Sequence, residues 1–327
     1  MANNERLVYL NGEFVPEADA KISIFDSALM FGDMVFEMTR SFRKKQHLLN
    51  RHLQRLFRSI RYVDIPLKMT VEDMEASINA TVERNADCFD EEDEHRIMVN
   101  VSRGPLSMYS EVFGGKLEPT VVISVFPVKW TAASFASLYE TGVHAVIPSQ
   151  RMIPARLLEP KVKNRSRLHY LMANIEVSKM NDATAWALLV DEDGFICEGT
   201  GANFFIVKDR KLLTPEPRNI LRGIKRDYII QLARQAGIEV IETNLETYDV
   251  LNSDEAFFTS TAFSIMPCTK FQGRPIGDGT MGSLTKQLLD AWGADVGVNI
   301  IEQTKRFAAL VGQQLGSGIT PYSFRSK

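Results

Sequence analysis

Cysteine is scarce in this 327-residue chain: there are three, Cys88, Cys197 and Cys268, and none has CxxC spacing. An odd, scattered set argues against a disulfide framework and against a cysteine-based zinc site, and no metal is expected. Long apolar runs are also lacking. None reaches the roughly 20 residues needed to cross a bilayer, and the first ten residues, MANNERLVYL, have no basic stretch leading into an apolar core, so no signal peptide is expected. Nor is there a positive excess. The 38 Lys and Arg against 41 Asp and Glu leave a net charge of −3, which disfavours a polyanion such as nucleic acid as partner. Internal repeats and low-complexity tracts are missing too. What remains, 45% hydrophobic and 24% charged residues, is the balance of a soluble globular protein, and the length suits two domains better than one core. The expectation is a cytoplasmic enzyme that binds neither nucleic acid nor membrane.

Hydrophobic periodicity outlines the organisation. Leu7 to Leu10 followed by Asn11-Gly12 and Glu13 to Val15 reads as a hairpin. Residues 34–42 alternate apolar and polar. Leu53, Leu56, Phe57 and Ile60 fall at helical spacing, which predicts a helix over 51–62. A second helix is predicted over 70–85, and strands over 96–103 and 120–126. Residues 1–126 thus form a small α+β domain, with 127–138 as an interdomain linker. A large domain over 139–292 is predicted from strands at 145–147, 185–190, 195–198, 204–207, 239–241 and 255–259, with helices at 165–180, 225–236 and 283–292. Residues 293–327 form a C-terminal extension, with one helix over 299–311 and an end expected to be mobile.

Five places combine residues suited to chemistry. Lys163 stands in PKVKNRSR, two residues after Lys161. An imine-forming lysine must be partly neutral near pH 7, and nearby cations such as Arg165 and Arg167 favour that; the plainer reading is a solvated basic loop. Glu198 ends an apolar strand before small residues, GTGA, where backbone can approach a ligand and a carboxylate can keep a pyridine nitrogen protonated. A surface acid before a glycine turn fits equally. Gly223 with Ile224 and Lys225 opens a helix whose N–H groups suit a phosphate, unless it is an ordinary helix start. Ser260-Thr261-Ala262 after a strand offers hydroxyls, or simply a turn. Arg55 neighbours the apolar face of the 51–62 helix, where a guanidinium wants an anion, although snorkelling would also serve.

None of these signals is specific alone, but their order along the chain is. Over about residues 7–292 the chain resembles the fold-type IV pyridoxal-phosphate enzymes, or class IV aminotransferases. These include branched-chain aminotransferases, D-amino-acid transaminases, R-selective amine transaminases and aminodeoxychorismate lyase. HLQRL at 52–56 is similar to the family's phosphate-arginine helix, Lys163-Asn164 with Glu176 downstream to the Schiff-base lysine segment, and EGTGANFF at 198–205 to the EGxxxNxF block. LRGIKRD at 221–227 resembles the LxGITRD phosphate cup, and TSTA at 259–262 the second phosphate and carboxylate turn.

The resemblance implies two α+β domains of D-amino-acid-aminotransferase type with pyridoxal 5'-phosphate in the interdomain cleft. It implies Lys163 as the Schiff-base lysine and proton carrier and Glu198 at the pyridine nitrogen. Arg55, Gly223, Ile224, Lys225, Ser260 and Thr261 would hold the phosphate, with Thr261 and Ala262 also toward a substrate carboxylate. Phe36, Arg40, Met108 and Tyr109 would line the substrate pocket. It further implies a homodimer whose partner completes each site, with the interface near 27–36 and Tyr109. FGDMVFE at 31–37, Arg40 and the 260–262 turn are closest to branched-chain aminotransferases, so transfer of an amino group between such an amino acid, or an amine, and a 2-oxo acid is expected. The loop PLSMYSE at 105–111 lacks the Arg-x-His trap of D-amino-acid transaminases. Two residues depart from the branched-chain pattern: Arg167 stands where a tyrosine meets the cofactor's phenolic oxygen, and Lys225 replaces a threonine. Arginine at the former position is closer to aminodeoxychorismate lyase, which keeps a lyase, beside D-amino-acid or R-amine transamination, as the alternative.

Overall fold

The computed structural model describes residues 5–311; the chain end expected to be mobile lies outside them. Two compact units result, one from the stretch up to Val128 plus Val162–Arg167, the other from Lys129–Lys161 and the chain from Leu168 onward.

The first unit is an antiparallel sheet backed by helices. Its strands are β1 (Leu7–Leu10), β2 (Glu13–Pro16), β3 (Met34–Phe42), β4 (Lys45–Gln46), β5 (His95–Ser102) and β6 (Thr120–Pro127), in the order β2-β1-β6-β5-β3-β4. Its helices are α1 (Ser27–Phe31), α2 (Leu49–Tyr62) and α3 (Val71–Arg84). Thr70 caps α3 in a reciprocal box with Asp73, satisfying N–H groups that have no helical partner. Side-chain alternation sorts β3 onto two faces. Val35 joins Leu53, Leu56 and Ile60 of α2, Met74 and Ile78 of α3, and Ile97 and Val99 of β5 in the core. Phe36, Met38 and Arg40 point the other way, opposite Asn100, Met98 and Arg96 of β5. A one-residue slip would exchange the two faces, so the buried set fixes the register.

The six residues returning to this unit form no helix and join it through one isolated bridge. The Phe36 N–H donates to the Lys163 carbonyl (2.9 Å) and the Arg165 N–H to the Met34 carbonyl (2.8 Å), pairing Asn164 antiparallel with Val35. This pairing delays the helix predicted over 165–180, which starts at Leu168. Ser166 Oγ donates to the Phe31 and Gly32 carbonyls. Gly32 has φ +65°, and a Cβ there would lie 2.7 Å from Ser166 Oγ, so no other residue suits that corner.

The second unit begins in the segment predicted as a linker, which carries α4 (Lys129–Ala132) and a 3-10 turn at Ala133–Phe135. α5 (Leu138–Thr141) and β7 (Val143–Val146) follow, then α6 (Leu168–Ser178), β8 (Ala185–Val190), β9 (Ile196–Gly199), β10 (Asn203–Lys208), β11 (Lys211–Pro215), α7 (Ile224–Gln235), β12 (Val240–Thr243), α8 (Thr247–Leu251), β13 (Glu255–Ser260), β14 (Ser264–Phe271), β15 (Arg274–Pro275), α9 (Ser283–Val296) and α10 (Ile300–Val311). Strands β10, β13, β14, β7, β8 and β9 form a closed circuit, because β9 pairs back onto β10. β11 and β12 extend it from β10. Glu255 on β13 accepts from the Leu284 and Thr285 N–H groups at the start of α9, so Phe257, two residues on, shares that face and stacks on Phe205. Phe258 and Phe204 pack together on the opposite face. Among the described residues, no helix is long and apolar enough to cross a membrane.

Candidate cofactor and substrate site

The candidate residues fall into two groups, one in each unit. In the first unit, the ring of Phe36 collects three cationic side chains: Lys163 Nζ lies 4.5 Å from its centroid, Arg165 Cζ 3.8 Å and Arg167 Cζ 5.6 Å. The Lys163 N–H donates to Ser59 Oγ of α2 (3.4 Å). Lys161, the rival two residues earlier, belongs to the second unit, where its ammonium pairs with Glu159 and reaches the Arg218 carbonyl.

Arg55 lies on α2 one turn before Ser59. Its Nε and Nη2 donate to the two oxygens of Glu37 (2.6 and 2.9 Å), and His52 Nδ1 meets the same carboxylate at 2.7 Å. All three side chains are buried. Burial alone would push the Glu37 carboxyl up; the Arg55 guanidinium and His52 overcome it and hold the group well below the usual carboxylate range. Glu37 thus fixes the direction of Arg55, as a bidentate partner does.

Arg40 is buried beside Arg96 on the face that carries Phe36. Arg40 Nε donates to the Ser41 carbonyl, and Arg96 Nε reaches Met38 Sδ at 2.8 Å. Burial and the neighbouring Arg40 push Arg96 down to about 10, which leaves it charged at neutral pH. Arg165 donates to Asn100 Oδ1 from the same side (2.7 and 3.1 Å). This sheet face is therefore strongly cationic. Met108 and Tyr109 stand apart from it on a 3-10 turn at Ser107–Phe113. Tyr109 packs on Phe25 (4.5 Å between centroids), next to α1, while Met108 is exposed.

In the second unit, Glu198 is 4% exposed. Its carboxylate accepts from Tyr170 Oη (2.8 Å), from Asn203 Nδ2 (2.9 Å) and from the Leu221 N–H (3.2 Å to each oxygen). The register puts Glu198 and Thr259 on either side of Asn203, so three motifs far apart in sequence meet at one level of the strand circuit. Asn203 also donates to the Leu221 carbonyl (2.9 Å), tying in the start of α7. Gly223 is the N-cap there, with no side-chain cap, and a Cβ on it would lie 2.0 Å from Asn203 Oδ1. Lys225 is buried, its Nζ 5.7 Å from the Trp292 ring. At the β13–β14 turn, Ser260 Oγ accepts from the Ala262 N–H (3.1 Å). A cavity of about 160 Å³ opens beside this turn, lined by Ser260, Ala262, Phe135, Trp186, Phe258 and Phe263. Glu176 turns elsewhere and accepts from Ser149.

These residues suit pyridoxal phosphate. A buried, multiply hydrogen-bonded carboxylate is a partner for a protonated ring nitrogen, and a side-chain-free start of a 12-residue helix suits a phosphate. Arg96 and Tyr170 escaped the sequence reading. No local signal marks them, since their partners are distant in sequence. Glu37, His52, Leu221 and Asn203 stood within recognised motifs, with no role of their own assigned there.

Two α/β units with this strand circuit define a fold-type IV enzyme. Two branched-chain amino acid aminotransferase structures superimpose on the chain. That from Thermobaculum terrenum in its PLP-form gives a TM-score of 0.77 at 25% identity, covering 94% of this chain and 97% of its own. That from Escherichia coli gives 0.80 at 27% identity, covering 95% and 98%. A putative branched-chain-amino-acid aminotransferase of Methanocaldococcus jannaschii is 36% identical over 86% of this chain and 93% of its own, and a D-alanine aminotransferase of Bacillus licheniformis 27% over 87% and 95%. The family model "Amino-transferase class IV" matches residues 34–271. The chain belongs to that family, and it is a pyridoxal-phosphate-dependent aminotransferase.

Proposed function

We propose that Lys163 carries the cofactor covalently, that Glu198 holds the proton on its ring nitrogen, and that the N–H groups of Ile224 and Lys225 receive its phosphate, with Gly223 allowing close approach and Arg55, Ser260 and Thr261 assisting. Arg167 stays near the ring's phenolic oxygen in this reading. The observation that carries the lysine assignment is the trio over Phe36. Like charges around one ring repel, and of the three only a lysine can shed its charge near neutral pH. Lys161 pairs with Glu159 in the other unit.

Bound pyridoxal phosphate supplies an aldehyde for capturing amines and a ring that takes up the electron pair left at the substrate carbon. The chain supplies the rest. Lys163 Nζ takes the proton from the substrate Cα, and Glu198 keeps the ring nitrogen protonated. The Thr261 and Ala262 backbone and the cationic face of Arg40 and Arg96 meet carboxylates of the amino and oxo acids. Phe36, Met108 and Tyr109 contribute apolar contact. The cavity beside the Ser260–Ala262 turn has Phe135, Trp186, Phe258 and Phe263 in its wall, which supports an apolar side chain of branched-chain type. The same reading includes a homodimer in which the partner completes the site, and, with three free cysteines, a reducing cytoplasmic setting.

Borohydride reduction of the loaded protein, followed by peptide mass analysis, tests the lysine. The label is expected on the peptide containing Lys163 and is lost in Lys163→Ala; label on Lys161 overturns the assignment. Mixing with single donors tests the substrate. L-leucine and L-glutamate are expected to convert the cofactor to its amine form in one half-reaction, whereas D-alanine and R-1-phenylethylamine are not. Repeated turnover of a donor without an oxo acid would point to a lyase.

A further inference from the structure

Helix α6 reaches Glu198 on β9 and Thr200 just beyond its end. Tyr170 Oη donates to Glu198 Oε1 (2.8 Å), and Thr200 Oγ1 donates to Asn174 Oδ1 (3.0 Å). Donors reach the Glu198 carboxylate from three separate pieces of chain: α6, the start of β10 and the segment leading into α7. Together they fix its plane. Tyr170 differs from the other two. Asn203 also donates to the Leu221 carbonyl, and the Leu221 N–H is split between both carboxylate oxygens. The phenol brings a hydroxyl donor, 2.8 Å from Glu198 Oε1.

We propose that Tyr170 is a positioning residue for the cofactor's ring nitrogen: its hydroxyl weakens the hold of Glu198 on a proton, so that the proton shared between them rests on the nitrogen. A hydrogen bond donated to a carboxylate stabilises its charged form. Without that bond the carboxylate becomes the stronger base, the proton moves toward it, and the ring loses capacity to accept electrons. This role rests on the reading of Glu198 given under Proposed function. The alternative is that Glu198 merely satisfies a half-buried phenol, which would affect folding but not the nitrogen.

The test uses the full chain loaded with pyridoxal phosphate labelled with 15N at the ring nitrogen, as wild type, as Tyr170→Phe, and with 3,5-difluorotyrosine at position 170. Wild type is expected to show a resonance toward the protonated limit. The Phe protein should move toward the unprotonated limit, and the difluorotyrosine protein, a stronger donor, away from it. Loss of one charge-assisted hydrogen bond should lower kcat by about 10-fold to 100-fold, with KM within about two-fold. Identical resonances in all three proteins overturn the proposal. If the Phe protein does not fold, the difluorotyrosine protein decides alone, an unchanged resonance counting against the proposal. Failure of wild type to take up cofactor on Lys163 would instead overturn the reading beneath it, and borohydride labelling distinguishes the two.

Discussion

Glu37 is the side chain on which the first group turns. Its carboxylate is buried between Arg55 and His52, and breaking such a pair by removing one partner costs about 3–5 kcal/mol. Glu37→Gln is expected to lower the unfolding free energy by about 3 kcal/mol, measured by urea titration, and to weaken cofactor binding because Arg55 loses its direction. The pH dependence follows from the sign of the shift. The folded-state pKa is depressed, so this stabilisation is fully present above the unfolded value of about 4.3 and fades as pH falls toward the folded value. Acid unfolding of wild type should therefore be steeper below about pH 4 than that of Glu37→Gln. Arg55 was legible because helical spacing sets it beside an apolar face. Glu37 was not: a carboxylate in an alternating strand reads as solvent-facing until α2 is seen to cover it.

At the scale of elements, periodicity located what local pattern controls. Residues 34–42 form β3 as expected, and the predicted helices at 51–62 and 70–85 correspond to α2 and α3. The sequence reading strayed where tertiary contacts decide. Residues 165–167 read as the start of the helix predicted over 165–180, but the pairing of Asn164 with β3 holds them out of it. β14 was missed because Pro267 reads as a strand breaker, yet it pairs between β13 and β7. The start of α7 carries the clearest element-level prediction. Gly223→Ala leaves an ordinary backbone, since φ is −69°, but its Cβ must displace the Asn203 amide that holds Glu198. Cofactor affinity is expected to fall about 10-fold, the loss of one good hydrogen bond. Equilibrium binding monitored by cofactor absorbance would register it.

For the whole molecule, assembly is the open expectation to test. Leu29 and Phe31 of α1 are 62% and 64% exposed, and Met108 and Val112 of the adjacent turn 75% and 63%. Phe25, packed between Tyr109 and Phe113, binds the two elements into one apolar patch. Monomers rarely leave such patches uncovered. In a dimer sealed by this patch, the double change Phe31→Glu and Met108→Glu should yield monomers by light scattering and a sharp loss of activity, with the far-UV spectrum unchanged. Length pointed to the two-unit plan, whereas the exposure of α1 required the fold.

The return of residues 162–167 to the first unit has a consequence for timing. That unit is otherwise finished by Val128. At about 5–20 residues per second of synthesis, a growing chain waits on the order of seconds before the last piece arrives. Until then the 34–36 edge of β3 stays open, and no amine is held over Phe36. Lys163, the lysine proposed to carry the cofactor, is thus delivered last, by the segment that closes the edge. Nascent chains, and chains cut between 128 and 162, would be unable to trap the aldehyde prematurely.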